Sequence, residues 1–302
     1  MGMSVLRLAS FGALLQFAIL LQASAAPDTT VPIEVHDGHA YVKVELPHAK
    51  PLWFLLDSGA ATPVNLIAKD TADRLGWKGA GLRQAPAIGG RVKLTFTPPV
   101  ALKVGSIELA AEPLAIISLG GSESQEGHAV DGILGYAFFK AFNPEIDYTG
   151  QHMRLSESPM LRPGAVALRI AGKTATIGAE IVLSPGQKAM AVTLVVDTGY
   201  DGFLLLNSPF VRKQHLLNSP GGTVSGAGVG GDTKRGQRVI ASFRIGREIE
   251  RNFNAALSTD TEGAFSSPEF DGYVGGEFLK HYAVLFDYRH GQFALAREGG
   301  AH

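Results

Sequence analysis

The chain has 302 residues, 45% of them hydrophobic and 18% charged, with 27 basic side chains against 28 acidic. That length suffices for two lobes with separate cores, and the even charge balance lacks the basic excess that nucleic-acid binding requires. Cysteine is absent, which excludes disulfides, thiol catalysis and thiolate metal sites, while 37 Gly and 16 Pro favour short strands and tight turns.

Residues 1–25 read as a secretory signal peptide: Arg7, then a mostly apolar run from Leu8 to Leu21, then the small residues Ala23-Ser24-Ala25-Ala26. The run is shorter than the roughly 20 residues that span a bilayer as a helix, and Gly12 and Gln16 interrupt it. Cleavage is expected after Ala25. It would remove Arg7 and no acid, leaving 27 − 1 = 26 basic against 28 acidic side chains and no membrane segment. The mature protein is expected in the periplasm or the medium.

Residues 33–36 and 40–46 alternate apolar and polar around Asp37-Gly38, a hairpin signature. His36 and His39 flank that turn and read as turn residues rather than a metal pair. Pro51 to Leu56 is an apolar, strand-like run that ends on Asp57-Ser58-Gly59. A short strand is expected over 63–67, a helix over 68–75 closed by Gly76, strands over 82–104 around Gly89-Gly90, and another strand over 107–117. Residues 119–128 read as a polar surface loop, followed by a strand over 130–134, a helix over 136–142 and strands up to Leu155. Ser156 to Gly164 is the linker candidate. Beyond it the plan repeats, with a Gly-rich segment from Gly221 to Gly236. That segment contains Gly226-x-Gly228-x-Gly230, but no helix opens after it, so it reads as a hairpin rather than a phosphate loop.

The repeat has a step of 140 at its anchors, drifting by one between them, where Gly89-Gly90 answers to Gly230-Gly231 at 230 − 89 = 141. Ala191 to Val196 ends on Asp197-Thr198-Gly199, displaced from the first motif by 197 − 57 = 140 positions. Asp131-Gly132-Ile133-Leu134-Gly135 answers to Asp271-Gly272-Tyr273-Val274-Gly275 at 271 − 131 = 140, and Asp147-Tyr148 to Asp287-Tyr288 at the same step. A period of that size is a whole domain. The expected organisation is an N-terminal lobe over residues 26–157 and a C-terminal lobe over residues 158–302.

If two such lobes pack about an approximate twofold axis, the two turns meet and their carboxylates face each other. Two carboxylates a few ångströms apart cannot both ionise cheaply, so the pair holds one proton. One member can then deprotonate a water while the other protonates a carbonyl oxygen. That chemistry hydrolyses an amide with no metal and no cofactor. Asp131, Asp147, Asp271 and Asp287 begin or close turns and read as structural.

These residues carry a resemblance. Asp57-Ser58-Gly59-Ala60 and Asp197-Thr198-Gly199, each followed by its partner segment 131 − 57 = 271 − 197 = 74 residues on, resemble the Asp-Thr/Ser-Gly signature of aspartic proteases of the pepsin and retropepsin type. The likeness runs over about residues 31–297. It implies a mostly β fold of two pseudo-twofold β-barrel lobes with a cleft between them, and an aspartic endopeptidase using Asp57 and Asp197. It also implies that Ser58 and Thr198 hydrogen-bond beneath the pair and that Gly59 and Gly199 shape the loops. Gly89-Gly90 and Gly230-Gly231 would be the flaps over an extended peptide, and the active unit would be a monomer. Tyr200 stands where the family favours a small residue, and Asp201 adds a charge beside it. A non-catalytic peptide-binding protein on the same fold, its second loop blocked by Tyr200, is the alternative.

Overall fold

The computed structural model describes residues 28–119, 129–160, 162–218 and 223–297. The expected signal peptide and residues 120–128 of the expected surface loop lie outside them. Among the described residues no helix is long and apolar enough to cross a membrane.

The first half runs β1 (Thr29–His36), β2 (His39–Glu45), β3 (Leu52–Leu56), β4 (Leu66–Ala68), α1 (Lys69–Arg74), β5 (Ala80–Ala87), β6 (Gly90–Val104), β7 (Ile107–Ile117), β8 (Gly132–Leu134), α2 (Tyr136–Ala141), β9 (Glu145–Asp147) and β10 (His152–Leu155). The second runs β11 (Val166–Ala171), β12 (Thr174–Val182), β13 (Met190–Val196), β14 (Leu204–Leu206), α3 (Ser208–Lys213), β15 (Thr223–Gly228), β16 (Gly231–Ile245), β17 (Glu248–Ser258), β18 (Gly272–Val274), α4 (Gly276–Leu279), β19 (Ala283–Asp287) and β20 (Gln292–Ala296).

The strand pairing of one half recurs in the other. In the first, β2 pairs β3, β3 pairs β8 in parallel, β8 pairs β4, β4 pairs β7 in parallel, β7 pairs β6, and β6 returns to β2, closing the circuit. In the second, β12, β13, β18, β14, β17 and β16 close in the same order and with the same directions. Closure removes exposed sheet edges, which suits short apolar strands. A third, antiparallel sheet joins the halves in the order β1, β10, β9, β19, β20, β11. It seats the Phe139, Phe286 and Phe293 rings, all fully buried, with Phe139 edge-on to Phe286 at 5.0 Å.

Three expectations need correction. The strand expected over 63–67 is only Leu66–Ala68, because the chain before it is turned to other work: the Asn65 side chain accepts from Gly135 N–H at 3.2 Å and its carbonyl accepts from Ala115 N–H. Segment 156–164 connects the halves but is packed, with Ser156 and Met160 buried and the Arg162 guanidinium forked onto Glu145 at 2.7 Å through Nε and Nη2. Leu119, read as the start of a surface loop, is buried with Leu94, Ile117 and Ile133.

Candidate active site

Both acids stand at the end of a strand that the core holds rigidly. Leu52, Phe54 and Leu56 of β3 alternate inward, and in β13 Leu194, Val195 and Val196 are all buried. Parallel pairing with β8 and β18 continues one residue past each strand. Asp57 N–H donates to the Leu134 carbonyl and Asp197 N–H to the Val274 carbonyl, both at 3.0 Å.

Beneath the acids the loops are bolted together. Ser58 N–H donates to Thr198 Oγ1 at 2.9 Å, and Thr198 N–H donates to Ser58 Oγ at 3.1 Å. Each hydroxyl then donates across to a carbonyl of the other strand, Ser58 to Val196 and Thr198 to Leu56, both at 2.7 Å. Ser58 and Thr198 are completely buried. Every one of these groups is thereby satisfied, as burial demands.

The glycines set how closely the acids approach. A Cβ on Gly59 would lie 2.4 Å from Asp197 Cγ, and one on Gly199 would lie 2.4 Å from Asp57 Cγ. Each loop therefore lays a bare backbone against the other loop's carboxyl, and the two carboxyls hydrogen-bond each other.

The pair is not symmetric. Asp57 Oδ1 accepts from Gly59 N–H and Ala60 N–H, both at 2.9 Å, whereas Asp197 Oδ1 accepts from Gly199 N–H at 2.9 Å. Burial raises the pKa of both carboxyls above the ordinary Asp range. At Asp57 the two backbone N–H groups pull it back down. At Asp197 the negative charge of Asp57 raises it further. The backbone hydrogen bonds thus favour the ionised form more at Asp57 than at Asp197.

The expected flap glycines lie at the tips of two hairpins, β5–β6 and β15–β16, and the tips touch. Gly230 N–H donates to the Ile88 carbonyl at 2.8 Å, and Gly89 is so close to Gly231 that a Cβ would fall 2.1 Å from its carbonyl oxygen. Gly90 approaches Gly230 in the same way. Val229 packs with the cluster that includes Leu55 and Ala60, beside Asp57. Ile88 packs with the cluster of Val195, Tyr200, Leu205, Phe265 and Tyr273, beside Asp197. Each tip thus leans on the half that does not carry it.

Tyr200 and Asp201 stand elsewhere than sequence reasoning set them. The Tyr200 ring is buried edge-on to Phe265 at 5.9 Å, with the Arg235 guanidinium 5.6 Å above it. Burial pushes its phenol up to about 12. The Asp197-Thr198-Gly199 loop keeps its hydrogen bonds with Tyr200 in place, so the tyrosine fills the wall rather than the loop. Asp201 is exposed, and Asp57 is the acid whose charge raises Asp197. Asp131 and Asp271 serve as turn acceptors, for Trp53 N–H at 3.0 Å and Thr193 N–H at 2.8 Å. Asp147 accepts from Thr149 and Gly150, and Asp287 binds His290.

Sequence reasoning missed His39. Read as a turn residue, it is instead 5% exposed, and its Nε2 lies 3.2 Å from the Gly199 carbonyl of the other half. The signal was available in the hairpin register: Tyr41 pairs with Leu55, so His39 falls opposite Asp57 (41 + 55 = 39 + 57). His36, its partner across the turn, is half exposed and paired with Glu34.

Residues 40–138 match the family model described as Aspartyl protease. Among solved structures, the aspartic proteinase from Irpex lacteus matches with a TM-score of 0.55 over 90% of this chain and 98% of that one, at 12% identity. At that identity the likeness is one of fold. No curated protein sequence matches. The chain is mostly β with a pepsin-like aspartic proteinase fold, and the family match over residues 40–138 and the fold together support a peptidase function in general.

Proposed function

We propose that the protein is an aspartic endopeptidase in which Asp57 and Asp197 activate one water between them. The observation that carries this reading is the unequal pair, two carboxyls brought together by the two loops, with Asp57 Oδ1 accepting from two backbone N–H groups where Asp197 Oδ1 accepts from one. Asp57 takes a proton from the water as its oxygen adds to the peptide carbonyl carbon, and Asp197 gives its proton to the carbonyl oxygen. The tetrahedral diol that results collapses as Asp57 gives the amide nitrogen the proton it took from water, Asp197 takes a proton back from a diol hydroxyl and the C–N bond breaks, returning acid, amine and the starting pair.

The substrate is an extended peptide lying between the hairpins and the acids, added as a strand through its backbone. One chain supplies both acids, which supports a monomeric active unit. Residues 1–25 carry the protein to the periplasm or the medium, and lobes over 26–157 and 158–302 each bring one loop. Tyr200, the basis for a binding protein without activity, sits in the wall cluster and gives that alternative no support.

Digestion of a mixed peptide library by the mature protein across pH, read by mass spectrometry, tests the proposal. Internal cleavage strongest below neutrality is the expected result. A folded protein that cuts nothing at any pH would overturn it.

A further inference from the structure

His39 is the first residue of β2 and lies in the register position facing Asp57. In the second half the same register, Thr176 paired with Val195, puts Thr174 opposite Asp197 (176 + 195 = 174 + 197). Thr174 is half exposed where His39 is buried. The two halves are therefore matched in their strands and unmatched at this one row. The imidazole reaches out of the first half to the carbonyl of Gly199, and the N–H of that same residue, in the preceding peptide unit, donates to Asp197 Oδ1. A carbonyl oxygen can only accept, so Nε2 carries the hydrogen, and protonation of the ring falls on Nδ1.

We propose that His39 is a positioning residue of the site, which fixes the Gly199 peptide behind Asp197 and, when its ring is protonated, sets the acid range in which the carboxyl pair holds a single proton. The proposal rests on the peptidase reading above for its consequence, though not for its geometry.

Two effects follow, and they separate. The hydrogen bond is mechanical: with it lost, the Gly199–Tyr200 peptide is free to turn, the Gly199 backbone loses its anchor to the first half and its N–H is less well held on Asp197, and misplacement of a reacting group is costly. The charge is electrostatic, and a positive ring favours the ionised form of both acids, a direction the pair's surroundings bear out. Among the described residues, titratable and charged groups approach the ring from several elements. Asp57 and Asp197 face it from the two loops. Tyr41, on its own strand, meets it edge-on at 6.4 Å, and His36 is its partner across the turn. Asp37 lies in the turn, and Glu277 is the second residue of α4, against whose start Gly38 packs.

The test uses the mature protein and two variants. His39→Gln can keep a donor to the Gly199 carbonyl without a titrating ring, and His39→Leu keeps neither. The expected result for His39→Leu is a fall of about tenfold or more in kcat with KM little changed. His39→Gln should recover most of kcat, while its pH–rate profile, acid and basic limbs together, moves to higher pH. The Asp57 and Asp197 side-chain 13C signals, followed by NMR through a pH titration, should move to higher pH in both variants. That readout needs no turnover, so a wild type that cleaves nothing would sink the peptidase reading and leave His39 still tested. Should His39→Leu fail to fold, His39→Gln and the titration decide alone. A carboxyl titration and profile identical to wild type in His39→Gln, or a His39→Gln as slow as His39→Leu with an unmoved titration, would overturn the proposal.

Discussion

Ser58 and Thr198 hydrogen-bond each other reciprocally, each backbone N–H donating to the other's hydroxyl, at 2.9 and 3.1 Å across a gap of 140 residues. Because each hydroxyl also donates to a carbonyl of the opposite strand, removing one leaves buried N–H and C=O groups without partners. Thr198→Ala is expected to destabilise by roughly 1–3 kcal/mol for each group orphaned, and Thr198→Ser, which keeps the hydroxyl, by less. Denaturant unfolding of the two variants checks this. Equal stability of Thr198→Ala and wild type would mean the loops are held together by something else.

Gly59→Ala and Gly199→Ala put a methyl 2.4 Å from the facing carboxyl carbon. Real Cβ atoms do not sit so close, so the acid must move. Each variant is expected to fold, since neither glycine needs an unusual backbone angle, and to lose roughly 10²-fold in kcat through misplacement. Paired measurements of kcat and melting temperature separate the two effects.

The carboxyl pair also makes a stability prediction, and its sign is fixed by the direction of the shifts. The folded protein binds its protons more tightly than the unfolded chain, because burial raises both pKa values above 3.8. The unfolded chain gives up its protons first as pH rises, so stability falls from pH 3.8 upward through the raised values. Asp197→Asn carries no proton to lose. Its melting temperature relative to wild type should rise from acid to neutral pH, and a gap independent of pH would contradict the raised pKa.

Much of this molecule was legible in the sequence because its elements are short and sharply punctuated. β7 spans Ile107–Ile117 as read, and α2 starts at Tyr136 as read, since Gly135 and the preceding apolar triplet mark the change of period. Asp57 and Asp197 were singled out by a repeat whose step is the same at three separate anchors. What escaped reading depends on how the halves sit against each other. Nothing local distinguishes His39 from His36 beside the same turn, and only the register to β3 and the arrival of Gly199 bury one and not the other. The meeting of Gly89 with Gly231 has the same origin. Tyr200 looked like an obstruction because its neighbour Phe265, which draws the ring into the wall, lies 265 − 200 = 65 residues away.

The account rests most heavily on the two acids working as one unit, and a mutant cycle on peptide cleavage measures that directly. Asp57→Asn and Asp197→Asn are nearly isosteric and are expected to fold. Each should lower kcat/KM by about 10²-fold or more, the lower range for groups that move protons in the transition state, and the double variant should be scarcely slower than either single one. Cleavage unchanged in both single Asn variants would contradict the account.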